Sequence, residues 1–152
     1  LQEEIYKAAG TSYAITIMRR MMLRIATKVA WNNNDIVLST GESFGQVASQ
    51  TLKSFVAIDP ATPMPIIRPL VAIDKIDIID IAQKINTFDI SVRPYEDCCT
   101  IFDVKNPTTC PHPDKIEEIE NSFDWKPMVE ECARNVQKIY ITDDDEDDSN
   151  LL

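Results

Sequence analysis

The apolar run Ile36-Val37-Leu38 lies between two helical patterns and is followed at once by Thr40-Gly41-Glu42-Ser43. A strand this short and uniformly apolar is of the type buried on both faces, in sheets whose parallel strands are covered by helices. Ile66-Ile67, closed by Pro69, is a second candidate of the same kind. Helix, strand, helix, strand, helix in chain order points to an α/β fold with parallel strands. Right-handed crossovers bring the loops after the carboxyl ends of such strands to one edge, where ligands bind. The turn at Gly41 and the segment after Ile67 are therefore the first places to look for a site. Two strands are too few for a complete sheet, so the pattern reads as a partial Rossmann-like parallel sheet flanked by helices.

The helical segments carry clear signals. Over residues 14–31, Ile17, Met18, Met21, Met22, Ile25 and Val29 recur at helical spacing, with Arg19, Arg20, Arg24 and Lys28 between them and Thr11 or Ser12 available as a cap. Asn32 to Asn34 end that helix. Residues 45–56 read as a second helix on Val47, Ala48, Leu52, Phe55 and Val56. Asp74 caps a strongly apolar third, to about Asn86. Residues 89–103 are irregular and hold Cys98 and Cys99. Asp114 with Glu117 resembles a capping box, and Pro127 suits the first turn of a last helix running to about Tyr140, which places Cys132 in the core.

At 152 residues the chain is long enough for one ordinary domain. Its net charge of -10 is uneven: residues 143–148 hold six acids, a solvated and disordered tail, whereas residues 1–34 carry five Lys/Arg against two acids. A broad basic face for nucleic acid is disfavoured, leaving only a local strip at Arg19, Arg20 and Arg24. No stretch approaches the ~18–20 apolar residues of a membrane span, and the amino end is not a signal peptide, so the expectation is a cytoplasmic protein with reduced cysteines.

Three glycines in the whole chain suggest that each serves the backbone, and Gly41 and Gly45 stand out. The string Thr40 to Gln46 is strand, turn and helix start, which offers backbone N–H groups to an anion or a nucleotide edge; a tight connection in which glycine serves geometry alone accounts for it equally. Arg19 and Arg20 are either forked donors to a phosphate or a solvated helix face. Cys98 and Cys99 on a loop read as a nucleophile or persulfide carrier, as buried thiols, or, with Cys110 and His112, as metal ligands at a spacing that suits zinc poorly.

Three blocks settle the choice by likeness. Residues 16–26 (TIMRRMMLRIA), 40–51 (TGESFGQVASQT) and 93–102 (RPYEDCCTIF), in this order, resemble the carboxyl-terminal part of the adenylating, pyrophosphatase-loop domain of the tRNA 4-thiouridine synthase (tRNA sulfurtransferase) family. The likeness runs over residues 1–141, and residues 142–152 are the acidic tail. It implies that Arg19, Gly41 and Gln50 bind ATP, used with magnesium, and that Cys98 performs the sulfur step, with Cys99 as the neighbouring thiol. It also implies adenylation of a tRNA uridine, replacement of its carbonyl oxygen by sulfur, a second role in thiamine thiazole synthesis, a cysteine desulfurase as sulfur donor, and a homodimer.

Departures matter too. The family's Ser-Gly-Gly-x-Asp-Ser phosphate loop, its amino-terminal RNA-binding modules and a rhodanese domain do not occur in this chain. The expectation is therefore a fragment with no thiolation or ATP hydrolysis of its own, and tRNA held mainly by the absent modules. The cysteines spaced by two residues that an iron–sulfur cluster needs are missing, so no metal is expected. Another adenylating sulfur- or amide-transferring ligase, and an interaction or dimerisation module using the helix after Asp74 and the last helix, are the alternatives.

Overall fold

A computed structural model describes residues 1–94 and 106–140. The cysteine pair Cys98 and Cys99 and the expected acidic tail lie outside these residues. The chain runs α1 (Gln2–Asn32), β1 (Leu38–Ser39), α2 (Leu52–Ile58), β2 (Ile66–Ile67), α3 (Lys75–Lys84), α4 (Phe88–Ser91), α5 (Pro113–Asn121) and α6 (Trp125–Arg134), with single 3-10 turns at Ala48–Gln50 and Asp59–Ala61. The α/β reading holds. β1 and β2 pair in parallel, Leu38 opposite Ile66 and Ser39 opposite Ile67, with bonds from Leu38 N to Pro65 O (2.9 Å) and Thr40 N to Ile67 O (3.0 Å).

Helix α1 is the axle of the molecule. It is broken at Gly10, whose backbone (φ 60°, ψ -172°) is open to a residue without a Cβ, so the expected helix start near Thr11 marks its second half. That half packs in two directions. Ile17, Met18 and Met21 join Ile5, Ala57, Ile116, Ile119 and Val129 in one cluster, against α2, α5 and α6. Leu23 and Ala30 join Leu38, Ile58 and Met64 in a second, which covers the sheet. Each fully buried Ile or Met contributes roughly 1.5–3 kcal/mol of transfer free energy, so α1 supports both layers.

Several boundaries move from the sequence reading. The helix expected over residues 45–56 starts only at Leu52: Gly45 takes a positive φ, Val47 is extended, and Thr51 is the N-cap, its Oγ1 accepting from Ser54 N at 3.1 Å. β1 begins two residues late because Asn34, at φ 62°, and a bond from Asp35 N to Ala30 O (2.9 Å) draw the chain back over the end of α1. His112, not Asp114, occupies the N-cap of α5, since Pro113 pre-sets the first helical φ. α6 ends at Arg134 rather than near residue 140, and Cys132 within it is half-buried. Asp74 does precede α3, without a side-chain cap bond, and α3 buries none of its residues; Ile76 is 74% exposed. Among the described residues no helix is long and apolar enough to cross a membrane.

The expected basic strip is consumed internally. Arg20 and Arg24 sit one turn apart on α1 and both grip Glu120 of α5: Arg20 Nε–Oε1 2.7 Å, Arg24 Nη1–Oε1 2.6 Å and Arg24 Nη2–Oε2 2.7 Å. Arg20 also donates to the Ala57 carbonyl, and the Arg24 guanidinium stacks 4.0 Å from the centre of the Trp125 ring. Burial alone would raise the Glu120 carboxyl; hydrogen bonds from Arg24 and Arg20, with their charges, outweigh it and hold the group below its ordinary value. The unfolded chain regains that ordinary value. The contribution of the clamp is therefore complete above the usual carboxylate range and fades as pH falls through the lowered folded-state value. Urea denaturation over an acid pH series is expected to show this loss in the wild type and a flatter profile in Glu120→Gln. Glu120→Ala, which leaves two half-buried cations without a counter-ion, is expected to lose about 3 kcal/mol.

Candidate functional site

The two loops at the carboxyl ends of the strands are tied together. Phe44 N donates to Val71 O (2.9 Å) and Ser43 Oγ to Ile73 O (2.9 Å), so the turn after β1 lies along the segment after β2. Within the turn, Gly45 N donates to Gln50 O (2.8 Å), which closes residues 45–50 into a compact loop ahead of α2. Thr51 Oγ1 then donates to Thr109 O (2.8 Å), and Thr108 N to Ser12 O (3.0 Å). The approach to α5 is thereby fixed beside the starts of both α2 and the second half of α1.

At this edge a buried carboxylate collects the charges. Glu42 is only 4% exposed; its Oε1 accepts from Arg19 Nη2, and its Oε2 accepts from Thr40 Oγ1 (2.8 Å) and Arg68 Nε (2.7 Å). The other side of the Arg68 guanidinium makes a fork with Asp59, Nη2–Oδ1 2.6 Å and Nη1–Oδ2 3.1 Å, and lies 4.5 Å from the centre of the Phe55 ring. Burial opposes the charge on Arg68, but the bonds to Asp59 and Glu42 outweigh it and leave its pKa raised. The guanidinium stays charged throughout the network.

Arg19, Gly41 and Gln50, three of the residues expected at the site, lie among the described residues. Arg19, on α1, is about a quarter exposed and reaches the turn after β1 through Glu42. Gln50 ends the 3-10 turn, half-buried, rather than lying one to two turns into a helix. Among the described residues the buried side-chain atoms without a hydrogen-bond partner are Arg19 Nε and Gln50 Oε1. An unpaired buried polar atom costs roughly 1–3 kcal/mol, which marks these two atoms as candidates for a water or ligand partner. Gly41 is exposed, its φ is not positive, and a Cβ built on it would meet nothing within 4 Å. The fold therefore makes no demand for glycine at Gly41. Gly45, with φ 77°, is the glycine that the loop requires.

Other expectations part company here. Arg20, paired with Glu120, is a structural cation rather than a candidate for phosphate. Cys110 is an exposed free thiol, His112 Nδ1 lies 3.6 Å from Asp114, and among the described residues no group of His, Cys, Asp and Glu could hold a metal. Cys98 lies outside the described residues. A cleft of about 460 Å³ is lined by Arg20, Glu120 and Trp125 and includes none of Arg19, Gly41 and Gln50. Sequence reading missed Glu42, Arg68 and Asp59 as members of the site. The available signal was the single acid within TGESFGQ and the arginine that directly follows β2.

Parallel strands under helical cover, with the turn after β1 at their carboxyl edge, define an α/β protein whose candidate ligand site lies at that edge. The chain belongs to the ThiI family: the family model for the thiamine biosynthesis protein ThiI matches residues 1–125. It is similar to a 4-thiouridine synthetase solved as a complex with RNA and with bound ATP, at 42% sequence identity and a TM-score of 0.79 over 88% of this chain. This chain covers 34% of that one, about a third of its length.

The two glycines of the turn separate by stability. Gly45→Ala is expected to lose about 1 kcal/mol or more in thermal denaturation, because alanine is strained at its positive φ. Gly41→Ala is expected to melt with the wild type.

Proposed function

We propose that this chain is the adenosine-edge and sulfur-transfer portion of an ATP-dependent tRNA sulfurtransferase, which adenylates a tRNA uridine and converts it to 4-thiouridine. The observation that carries the reading is the coincidence of the unpaired buried atoms with Arg19 and Gln50, two of the three positions that the family likeness assigns to ATP. The similarity to a 4-thiouridine synthetase with bound ATP and RNA supports the substrate pair. A role in sulfur transfer for thiamine thiazole synthesis accords with the description of the family. Phosphate-loop residues and RNA-binding modules belong to the longer protein, and this chain by itself turns over no ATP.

ATP, with magnesium, supplies the adenylyl group that makes the uridine 4-oxygen a leaving group. Arg19 directs its guanidinium donors at phosphate oxygens. Gly41 admits the adenosine by backbone approach, which accounts for a glycine that the fold does not need. Gln50 takes up a hydrogen bond with its buried Oε1. Cys98 performs the sulfur step, loaded as a persulfide by a cysteine desulfurase. Its terminal sulfur bonds to uridine C4 as AMP departs with the oxygen. A second thiol then attacks the Cys98 sulfur, 4-thiouridine is released with a disulfide left behind, and a cellular dithiol reduces it. The reaction is cytoplasmic, and a homodimer is the working assembly.

Two variants of the full-length enzyme test this assignment. Gly41→Ala is expected to raise the KM for ATP with no loss of stability. Cys98→Ser is expected to abolish 4-thiouridine formation while ATP-dependent adenylation of tRNA continues. Wild-type thiolation by Cys98→Ser would move the sulfur step to another thiol, Cys99 first.

A further inference from the structure

We infer that Glu42 is the positioning residue of the site: its carboxylate holds the Arg19 guanidinium in one orientation, so that the remaining donors of Arg19 are presented to ATP. The inference rests on the proposed ATP role of Arg19. Its warrant is the way charges are shared at the strand ends.

Two arginines and two carboxylates meet there, and they are not equally committed. Arg68 spends its donors on both neighbours, Nε on Glu42 and both Nη atoms on Asp59. Glu42 accepts from three donors that come from three parts of the chain: Arg19 on α1, Thr40 in the turn, and Arg68 after β2. Arg68 thus engages all three guanidinium nitrogens, whereas Arg19 engages one. Its hydrogen bond among the described residues runs from Nη2 to Glu42, and its Nε is buried without a partner. Asp59, Arg68 and Thr40 thus immobilise Glu42, and Glu42 immobilises an arginine that is otherwise under-used.

A buried carboxylate with two arginines is a poor way to add stability, because desolvation of each ion costs several kcal/mol before any attraction is gained. It is a good way to fix direction, since a planar guanidinium bonded at one nitrogen to an immobile carboxylate has its other N–H vectors set. A pre-oriented donor loses less rotamer entropy when the anion arrives. Uncommitted, Arg19 would keep several rotamers, and its attraction for an anion would lose that advantage.

The test is a double-mutant cycle on the full-length enzyme, read as the dissociation constant for ATP by calorimetric titration and as KM and kcat for tRNA thiolation. Glu42→Gln and Glu42→Asp are each expected to weaken ATP binding about tenfold, with the KM for tRNA unchanged. In an Arg19→Ala background the same Glu42 changes are expected to have no further effect, because the residue they act through is gone. Glu120→Gln is the stability control: it disturbs a half-buried carboxylate between two arginines outside the site, and should leave ATP affinity unchanged. Additive losses at Glu42 and Arg19, or ATP affinity that simply tracks melting temperature across all variants, would overturn the inference. Should Glu42→Gln fail to fold, the charged Glu42→Asp completes the cycle. A wild-type enzyme that neither binds ATP nor thiolates tRNA would instead overturn the functional reading on which it rests.

Discussion

Two strands of two residues each do not stay paired in water unaided, and the structure depends on the face of α1 that covers them. Leu23 and Ala30 close over Leu38, with Ile58 and Met64 completing the cluster and Ile66 packed against it. The opposite side of the helix holds Ile17, Met18 and Met21 against α2, α5 and α6. A helix buried in two directions has little of the one-sided pattern of a surface helix, and it transmits position between the layers. The carboxyl edge of the sheet stands where it does because the sheet is anchored to this helix.

Consecutive arginines on α1 do different work for a geometric reason. Neighbouring residues on an α-helix point about 100° apart, so Arg19 and Arg20 cannot serve the same partner, whereas Arg20 and Arg24, one turn apart, can. Arg20 and Arg24 therefore converge on Glu120 and fasten α5, while Arg19 turns to Glu42 at the carboxyl end of β1. A stretch that looks like a basic strip in one dimension becomes, in three, a structural clamp on α5 and a separate pairing at the sheet edge. Arg20 and Arg24 share the single carboxylate of Glu120 and Arg19 is paired with Glu42, so two carboxylates answer the three cations of the strip.

Much of this was legible beforehand where signals were local. Ile66-Ile67 lies in the expected strand, Asp74 directly precedes α3, and the loop at Gly41 falls at the sheet edge that parallel topology predicts. The failures were also local, but decided by competition. Both residues 45–56 and residues 52–58 present a helical pattern, and the Thr51 cap together with the positive φ of Gly45 selects the shorter one. α3 reads as strongly apolar, and none of its residues is buried, because periodicity reports what a face can cover and not whether a cover is supplied.

The sequence by itself determined the fold class and the family, since periodicity, cap chemistry and contiguous motif blocks are properties of neighbouring residues. It named Arg19, Gly41 and Gln50 as candidates for an ATP site by likeness to the family. Only the tertiary structure decided that Gly45 and not Gly41 is the glycine of the fold, that Arg20 is spent on Glu120, and that Glu42, Arg68 and Asp59 form a network around Arg19. Those facts depend on pairing between groups 9 to 100 residues apart, and a charge cannot declare its counter-ion until packing removes both from water.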